Sequence, residues 1–331
     1  MSISVLAPGM LTTVQDRGRR GHAALGVGHA GAMDAIALRL ANILVGNVEN
    51  AAALEITLRG PRLRCDSDSL IAITGADIEA RCDGEPLPQW RPVALHAGSE
   101  LALGGMSRGA RSYLAIAGGI GTTVVLGSRS SDLNAAIGRR ALAAGDLLPC
   151  APAKQGIGRA LWQGLASGTH NFAAASWSLN PQPWFDPDLQ RPLRAIAGTH
   201  FPHLDAASQR ALFTAQFRIG PDSNRVGYRL QDAKLALREP IELVSEGVVP
   251  GTVQLPPGGD PIVLMAEAPT CGGYPRIVQV IGVDLPRLAQ RRPGDALRFA
   301  ETSLDDAQTR YLERERALSR IARTVAERLH D

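Results

Sequence analysis

The chain interrupts its own apolar runs. Leu70-Ile71-Ala72-Ile73-Thr74, Val93-Ala94-Leu95, Glu100-Leu101-Ala102-Leu103 and Ser112-Tyr113-Leu114-Ala115-Ile116 are each cut short by glycine, proline or charged turn residues. A run of that length is enough to cross a sheet, since strands average about five or six residues, whereas a helix needs about ten to bury a stripe. With 35 glycines and 22 prolines among 331 residues, turns are plentiful. Many short strands at such spacing predict a mainly β chain folded as barrels or sandwiches. Further strands are expected at Ala53–Leu58, Ile78–Arg81, Phe217–Ile219, Ile241–Val244, Ile262–Ala266 and in the β-branched run after Arg276.

Single cores seldom grow past about 250 to 300 residues, so two lobes are expected. The expected boundaries are 1–190, whose last part (151–190) is a loose connection carrying Trp162, Trp177 and Trp184 as surface cover, and 191–331. A turn idiom recurs in both halves, at Ala97-Gly98-Ser99-Glu100-Leu101, Ala144-Gly145-Asp146-Leu147-Leu148 and Pro293-Gly294-Asp295-Ala296-Leu297, which hints at a shared architecture. Helices are few. The spacing of Ile36, Leu40, Ile43 and Leu44 predicts one capped by Asp34 and stopped by Gly46, a short one follows Asp205, and Ser303 with Asp306 opens a terminal helix bearing Tyr311, Leu318, Ile321, Val325 and Leu329 on one side.

Charge and composition exclude several functions. The net charge is +3 with basic residues scattered singly, and aromatics make up only 4%, so neither a nucleic acid nor a membrane partner is expected. Nearly all the basic residues are arginine. Lysine occurs only at Lys154 and Lys234, neither in a biotin-carrier context, so no covalent biotin is expected on this chain. Cys65, Cys82, Cys150 and Cys271 lack C-x-x-C or metal-finger spacing, and the N-terminus lacks a basic and apolar leader. A reduced, cytoplasmic protein without a metal site is the expectation. Gly26-Val27-Gly28-His29-Ala30-Gly31 matches G-x-G-x-x-G, with Glu49 and Glu55 near the acidic position, but no buried parallel strand precedes it. Dinucleotide binding is therefore not expected.

The densest chemistry lies between Pro261 and Ile281. Glu267, Thr270, Cys271, Gly272, Gly273, Tyr274 and Arg276 sit between two strand-like runs, with Pro269 and Pro275 stiffening the ends. Glycine amides approach a ligand closely, so the loop suits an anion or amide cradle; its polar residues would equally satisfy a long hairpin turn. In Gly220–Leu230, Ser223, Arg225, Arg229 and Tyr228 around Gly227 fit a carboxylate or phosphate contact, or a solvated loop. Gln15, Asp16 and Arg19 form another polar group, readable as a ligand clamp or as a structural ion pair. Asn47 follows the first helix, and Glu55 stands in a strand opposite the face of Leu54 and Ile56.

Several segments together resemble one family. They are Thr12-Thr13-Val14-Gln15-Asp16-x-Gly18-Arg19, Gly31-Ala32-Met33-Asp34, Asn42-x-Leu44-Val45-Gly46-Asn47, Ala53-Leu54-Glu55-Ile56-Thr57, Arg111-Ser112-Tyr113-Leu114-Ala115, Ser223-Asn224-Arg225-x-Gly227-Tyr228-Arg229-Leu230, Gly247-Val248-Val249-Pro250-Gly251 and Thr270-x-Gly272-Gly273-Tyr274-Pro275-Arg276. In order along the chain, these resemble the KipA family, also called the biotin-dependent carboxyltransferase or allophanate hydrolase subunit 2 family. The resemblance implies two cyclophilin-like β-barrel lobes facing across a cleft, with a few short helices and a C-terminal helix. It implies a KipI-type B subunit and a separate A subunit as partners, and ATP as a reactant whose site is shared with a partner. The implied activity is ATP-dependent cleavage of 5-oxoproline to glutamate, the family's stand-alone bacterial members being the C subunit of that enzyme. Alternatives are the carboxyltransferase part of a urea-carboxylase-like biotin system and a non-enzymatic partner of a kinase inhibitor. On this mapping Thr270, Gly272, Gly273 and Tyr274 hold the amide or transferring group, Glu267 is acid, base or electrostatic partner, and Gln15, Arg19, Asn47 and Glu55 come from the other lobe. The family tends to have Asp where this chain has Glu267 and Thr where it has Cys271; the cysteine reads as a small packing residue.

Overall fold

The computed structural model describes residues 1–153, 156–167, 171–186, 188 and 190–330. Its strands form a ten-stranded sheet, an eight-stranded sheet and a two-stranded ribbon, with five α-helices among the described residues. The chain divides into two compact units. One comprises Met1–Gly18, Asp34–Asp186 and Arg316–Asp331; the other comprises Arg19–Met33 and Pro187–Glu315. Residues 19–33 thus cluster with the C-terminal half, although the strand before them and the helix after them belong to the first unit.

In the first unit the antiparallel strands Ser69–Cys82 and Glu100–Ile116 pair from Ile71 opposite Ile116 to Cys82 opposite Leu101. Each fuses two strands that the sequence separates, 70–74 with 78–81 and 100–103 with 112–116. Gly75 is the reason the first does not stop. It adopts φ +87°, and the register slips between Gly75 and Ala80 absorb the bend as bulges. The second strand changes neighbours along its length. Its Glu100–Ala102 end pairs with Arg62–Cys65 and its Arg111–Leu114 part with Ala53–Thr57, so one bent strand curls the sheet towards a barrel. Helix Ala35–Leu44 has the caps its sequence promises: Asp34 accepts from the Ala37 amide at 2.9 Å, and Gly46 turns left-handed at φ +70°.

The supposed connection 151–190 is more structured than its composition suggests. It contains helix Arg159–Ser167 and strand Phe172–Ala174, which pairs with Val93–Leu95. The three tryptophans are half-buried, Trp162 donating to the Ile157 carbonyl at 3.1 Å. Lys154 lies outside the described residues.

The eight-stranded sheet of the second unit runs in the order Ala296–Leu297, Phe217–Ile219, Gly227–Gln231, Ile262–Leu264, Thr252–Gln254, Arg276–Val280, Leu193–Ala197, Phe299–Glu301. Its two edge strands are separated along the chain by Arg298 alone, so the sheet curls until its edges nearly meet. Phe217 and Phe299, ring centroids 5.7 Å apart, fill the interior with Leu230, Val253, Ile277 and Leu288. Ile241–Val244 is not a strand: it finds no sheet edge, Val244 is 87% exposed, and only Glu246–Gly247 pairs, with Cys271–Gly272. Strand-forming residues without a partner strand stay irregular.

The terminal helix spans Leu304–His330, its start capped by Ser303 Oγ accepting from the Asp306 amide at 3.1 Å. Leu318, Val325 and Leu329 are buried, all within the part that clusters with the first unit, whereas Tyr311 is 48% exposed beneath the Arg314 guanidinium. The apolar side read from sequence therefore buries only its later half. No described helix is long and apolar enough to cross a membrane.

The bend at Gly75 yields a prediction. A Cβ there would meet the Arg111 carbonyl oxygen at 2.5 Å, whereas a Cβ at Gly84, with a similar φ of +88°, meets nothing within 4 Å. Gly84→Ala should cost about 1–2 kcal/mol for the left-handed backbone, and Gly75→Ala about 1–3 kcal/mol more for the clash. Denaturant midpoints of the two variants check this; equal losses would contradict it.

Candidate functional site

The diglycine loop is not the turn of a hairpin. Strands Ile262–Leu264 and Arg276–Val280 are separated in the sheet by Thr252–Gln254, which pairs with both. The intervening residues therefore cross over that central strand rather than folding back beside it. Gly272 lies against the side chain beneath it, where a Cβ would come within 2.4 Å of Gln254 Nε2. Glycine is needed there for close approach, not for an unusual φ. Gln254 is 5% exposed and its Nε2 has no hydrogen-bond partner among the described residues, so a buried amide donor sits directly under the loop. Tyr274 projects outward, 46% exposed, and Cys271 is exposed, so it does not serve as core packing.

At the start of the loop the chain turns inward. The Glu267 amide donates to the Arg225 carbonyl at 2.8 Å, and Arg225 Nε donates to Glu267 Oε1 at 2.6 Å. Arg225 Nη2 also donates to the Gly31 carbonyl at 2.6 Å. Both charged side chains are almost fully buried, at 6% and 3% exposure. A pair so desolvated persists only when each partner satisfies the other, and here the guanidinium joins three stretches of chain at once: 220–230, the diglycine loop and 19–33.

Of the four residues of Gly220–Leu230 expected to converge, only Arg225 turns this way, and Arg229 is exposed. Tyr228 is buried in the core with its hydroxyl donating to the Arg291 carbonyl at 3.4 Å, and Ser223 Oγ accepts from the Arg229 amide at 3.1 Å. At the far end of the loop Arg276 pairs with Glu246, and its amide donates to His200 Nδ1 at 3.1 Å. Burial, then the nearby Arg276 guanidinium, lowers the His200 pKa; Glu246 opposes and His203 reinforces the shift.

Residues 19–33 close on themselves through Arg19 N–H donating to the His29 carbonyl at 2.8 Å. Within the second unit they wall a cavity of about 360 Å³. Arg19, Arg20, His22 and His29 line one side; Val248 to Pro250 and Ala266 to Thr270, apart from Glu267, line the other. Of the expected site residues, the structure brings Arg19 and Thr270 to this cavity. It places Glu267 behind it against Arg225. Val27, Gly28 and His29 of the G-x-G-x-x-G stretch belong to this wall, and no strand directly precedes the stretch.

The first unit holds its own polar group. Strand register puts Thr13 opposite Glu55, Glu55 opposite Tyr113, and Tyr113 opposite Thr74, so one face carries a polar row beneath helix Ala35–Leu44. Tyr113 donates to Glu55 Oε2 at 2.7 Å and accepts from the Asp34 amide at 2.8 Å; Thr74 donates to the Ala37 carbonyl at 2.7 Å. Burial first, and the Glu55 charge second, hold the Tyr113 pKa well above its usual value, so the phenol stays a donor. Gln15 continues the row, giving its amide to Thr13 Oγ1 and the Ser131 carbonyl.

Asp16 accepts from Ser128 Oγ and Ser130 Oγ, both at 2.6 Å, and from the Arg129 and Gly18 amides. Asn47 bridges the Ile116 carbonyl and the Gly118 amide. Asp16 and Asp34 thus hold the chain on either side of residues 19–33. Sequence reading missed Tyr113, Ser128, Ser130, Gln254, His22 and His29 as contributors. Only strand register, or a fold that returns 19–33 to the second unit, reveals them. Among the described residues no group of three or more His, Cys, Asp or Glu side chains is placed to hold a metal ion.

Comparison with known proteins fits this architecture. The family model of the carboxyltransferase domain, subdomain A and B, matches residues 25–301. The chain is similar to the 5-oxoprolinase C subunit of Escherichia coli (strain K12), 40% identical over 327 residues, covering 94% of this chain and 96% of that one. To the protein of the same name in Haemophilus influenzae it is 35% identical, covering 98% and 99%. Among solved structures, the K. lactis urea amidolyase superposes with a TM-score of 0.83 at 26% identity, over 97% of this chain and 20% of that larger one.

Two outcomes test the geometry. Arg225→Met strands a buried carboxylate and should cost about 3–5 kcal/mol, while Arg225→Met with Glu267→Leu should recover most of that loss; chemical denaturation reads both. Because the folded pKa of His200 lies below its ordinary 6.5, its contribution to stability is complete above pH 6.5 and is lost as the pH falls through the folded value. His200→Gln should therefore narrow the difference in Tm between pH 7.5 and pH 5.5, and an unchanged difference would contradict this.

Proposed function

From the premise that this chain belongs to the carboxyltransferase domain family, subdomains A and B, we propose that it is the C subunit of an ATP-dependent 5-oxoprolinase. The observation that carries the reading is the 40% identity to the E. coli protein over nearly the whole of both chains. The reaction opens an unstrained cyclic amide, which resists hydrolysis until phosphorylation of the amide oxygen activates the carbon to attack. Transfer of the ATP γ-phosphoryl to that oxygen releases ADP. Water then adds to the activated carbon, the ring C–N bond breaks as the nitrogen takes a proton, and the resulting γ-acyl phosphate is hydrolysed by a second water to glutamate and phosphate. A KipI-type B subunit and a separate A subunit complete the enzyme, and the nucleotide site is shared with a partner.

In this reading the second unit contributes the loop from Glu267 to Arg276. Thr270, Gly272, Gly273 and Tyr274 present a hydroxyl, backbone amides and a phenol to the amide group, and Glu267 supplies the carboxylate that stabilises charge or moves a proton. Arg225 holds that carboxylate in place, and Arg276 with Glu246 braces the loop's end. Gln15, Asp16, Asn47 and Glu55 maintain the first unit through the bonds described above, and Ser223 and Tyr228 maintain the second.

A second reading, the carboxyltransferase of a urea-carboxylase-like system, is favoured by the superposition on K. lactis urea amidolyase. It requires a biotinyl carrier on another chain. A third, a regulatory partner that catalyses nothing, requires only the interaction with the KipI-type protein.

The test is reconstitution with candidate A and B subunits, measuring ATP hydrolysis with and without 5-oxoproline. The expected result is hydrolysis dependent on 5-oxoproline, reduced about 10²–10⁴-fold by Glu267→Gln while the three proteins still co-purify. Carboxyl transfer from a biotinyl carrier without 5-oxoproline-dependent hydrolysis would replace the proposal with the second reading. Unchanged turnover in Glu267→Gln would remove Glu267 from the chemistry.

A further inference from the structure

We infer that the cavity walled by residues 19–29 is a carboxylate-binding pocket, and that it fixes the carboxyl group of the cyclic substrate. The second clause rests on the 5-oxoprolinase reading; the first stands on the composition of the cavity. Its lining includes two arginines and two histidines, Arg19, Arg20, His22 and His29, and no aspartate or glutamate; Nδ1 of His29 lies 2.9 Å from the Ala30 carbonyl oxygen. A concave site lined by one sign of charge focuses a positive potential on whatever enters it. Arg20 is exposed, so its guanidinium is free to turn onto an acidic group at the cavity mouth, where a charge-assisted hydrogen bond fixes it.

The opposite wall has a different character. Val248, Val249, Pro250, Ala266 and Ala268 offer aliphatic surface, and Thr270 adds a hydroxyl at its edge. Charge on one side and hydrocarbon on the other match a small molecule with an acidic group on a saturated ring. At about 360 Å³ the cavity lies near the lower end of ligand sites, which suits a small acid better than a nucleotide triphosphate.

The wall is also held in shape before any ligand arrives. Arg19 N–H closes onto the His29 carbonyl, and Arg225 holds the Gly31 carbonyl two residues further on. Because Arg225 also holds Glu267, one guanidinium sets the spacing between the anion-binding wall and the loop to which catalysis is assigned. A ring acid anchored by its carboxylate would present its amide at a fixed distance and direction. That is the positioning an intramolecular reaction requires.

The pocket's chemistry is shared by carboxylates and phosphates, so the test separates them. Binding of 5-oxoproline, of 2-pyrrolidinone, which is the same ring without the carboxyl group, and of inorganic phosphate is measured calorimetrically on the co-purified complex. Arg20→Ala and His22→Ala are chosen because Arg20 is exposed and His22 only half-buried, and Arg19→Lys keeps the charge but not the fork. The expected result is that 5-oxoproline binds at least tenfold more tightly than 2-pyrrolidinone, and that the Arg20→Ala, His22→Ala double variant loses about tenfold for 5-oxoproline and nothing for 2-pyrrolidinone. Its KM for 5-oxoproline should rise in parallel.

Equal losses for both ring ligands, no loss for either, or a loss for phosphate alone would overturn the assignment. If the wild-type complex turns over ATP with 5-oxoproline and the variants keep its KM, the pocket fails while the enzymatic reading survives. If the wild-type complex shows no such turnover but 5-oxoproline binding still depends on Arg20 and His22, the pocket stands and the enzymatic reading fails.

Discussion

The buried pair between Arg225 and Glu267 is the constraint on which the second unit's candidate site depends. Taking two charges out of water costs several kcal/mol per ion unless geometry repays it, and here repayment takes a 2.6 Å contact plus a further bond from Arg225 to the Gly31 carbonyl. Hydrophobic residues of similar volume would fold as well, so the pair is better explained by what it positions. It fixes the loop bearing Thr270 and the diglycine relative to residues 19–33, and those two stretches form the walls of the cavity.

Close backbone approach supplies the rest of the precision. Gly75 allows a long strand to bend against its neighbour, and Gly272 allows the crossover loop to lie on Gln254. The sheet of the second unit closes because its two edge strands are almost contiguous in sequence, which leaves little freedom for the loops at its rim. Asp16, with hydroxyl and amide donors, and Asp34, through Tyr113 and Glu55, perform a similar service in the first unit at the points where the chain leaves for residues 19–33 and returns.

What the sequence revealed was local. Asp34 and Gly46 bound a helix by signals within a few residues of it, and Ser303 with Asp306 did the same for the terminal helix. Strand-like runs were legible, but not their ends or partners: Gly75 reads equally as a turn or as a bulge, and nothing in Ile262–Leu264 or Arg276–Val280 says that Thr252–Gln254 lies between them. Glu267 and Arg225 were each singled out, yet their pairing spans 42 positions and has no local signature. The family resemblance supplied the barrels and the candidate activity. It did not supply the basic cavity, because that depends on residues 19–33 packing with a half of the chain to which sequence order does not assign them.

Hydrogen–deuterium exchange on the intact chain, comparing wild type with Glu267→Gln, addresses the role of the buried pair most directly. If the pair holds the cavity walls, exchange should accelerate in residues 19–33 and 265–273 while the long first-unit strands Ser69–Cys82 and Glu100–Ile116 keep their protection. Unaltered exchange in 19–33, with Glu267→Gln folded and stable, would contradict the account and leave the ion pair as a packing feature without influence on the site.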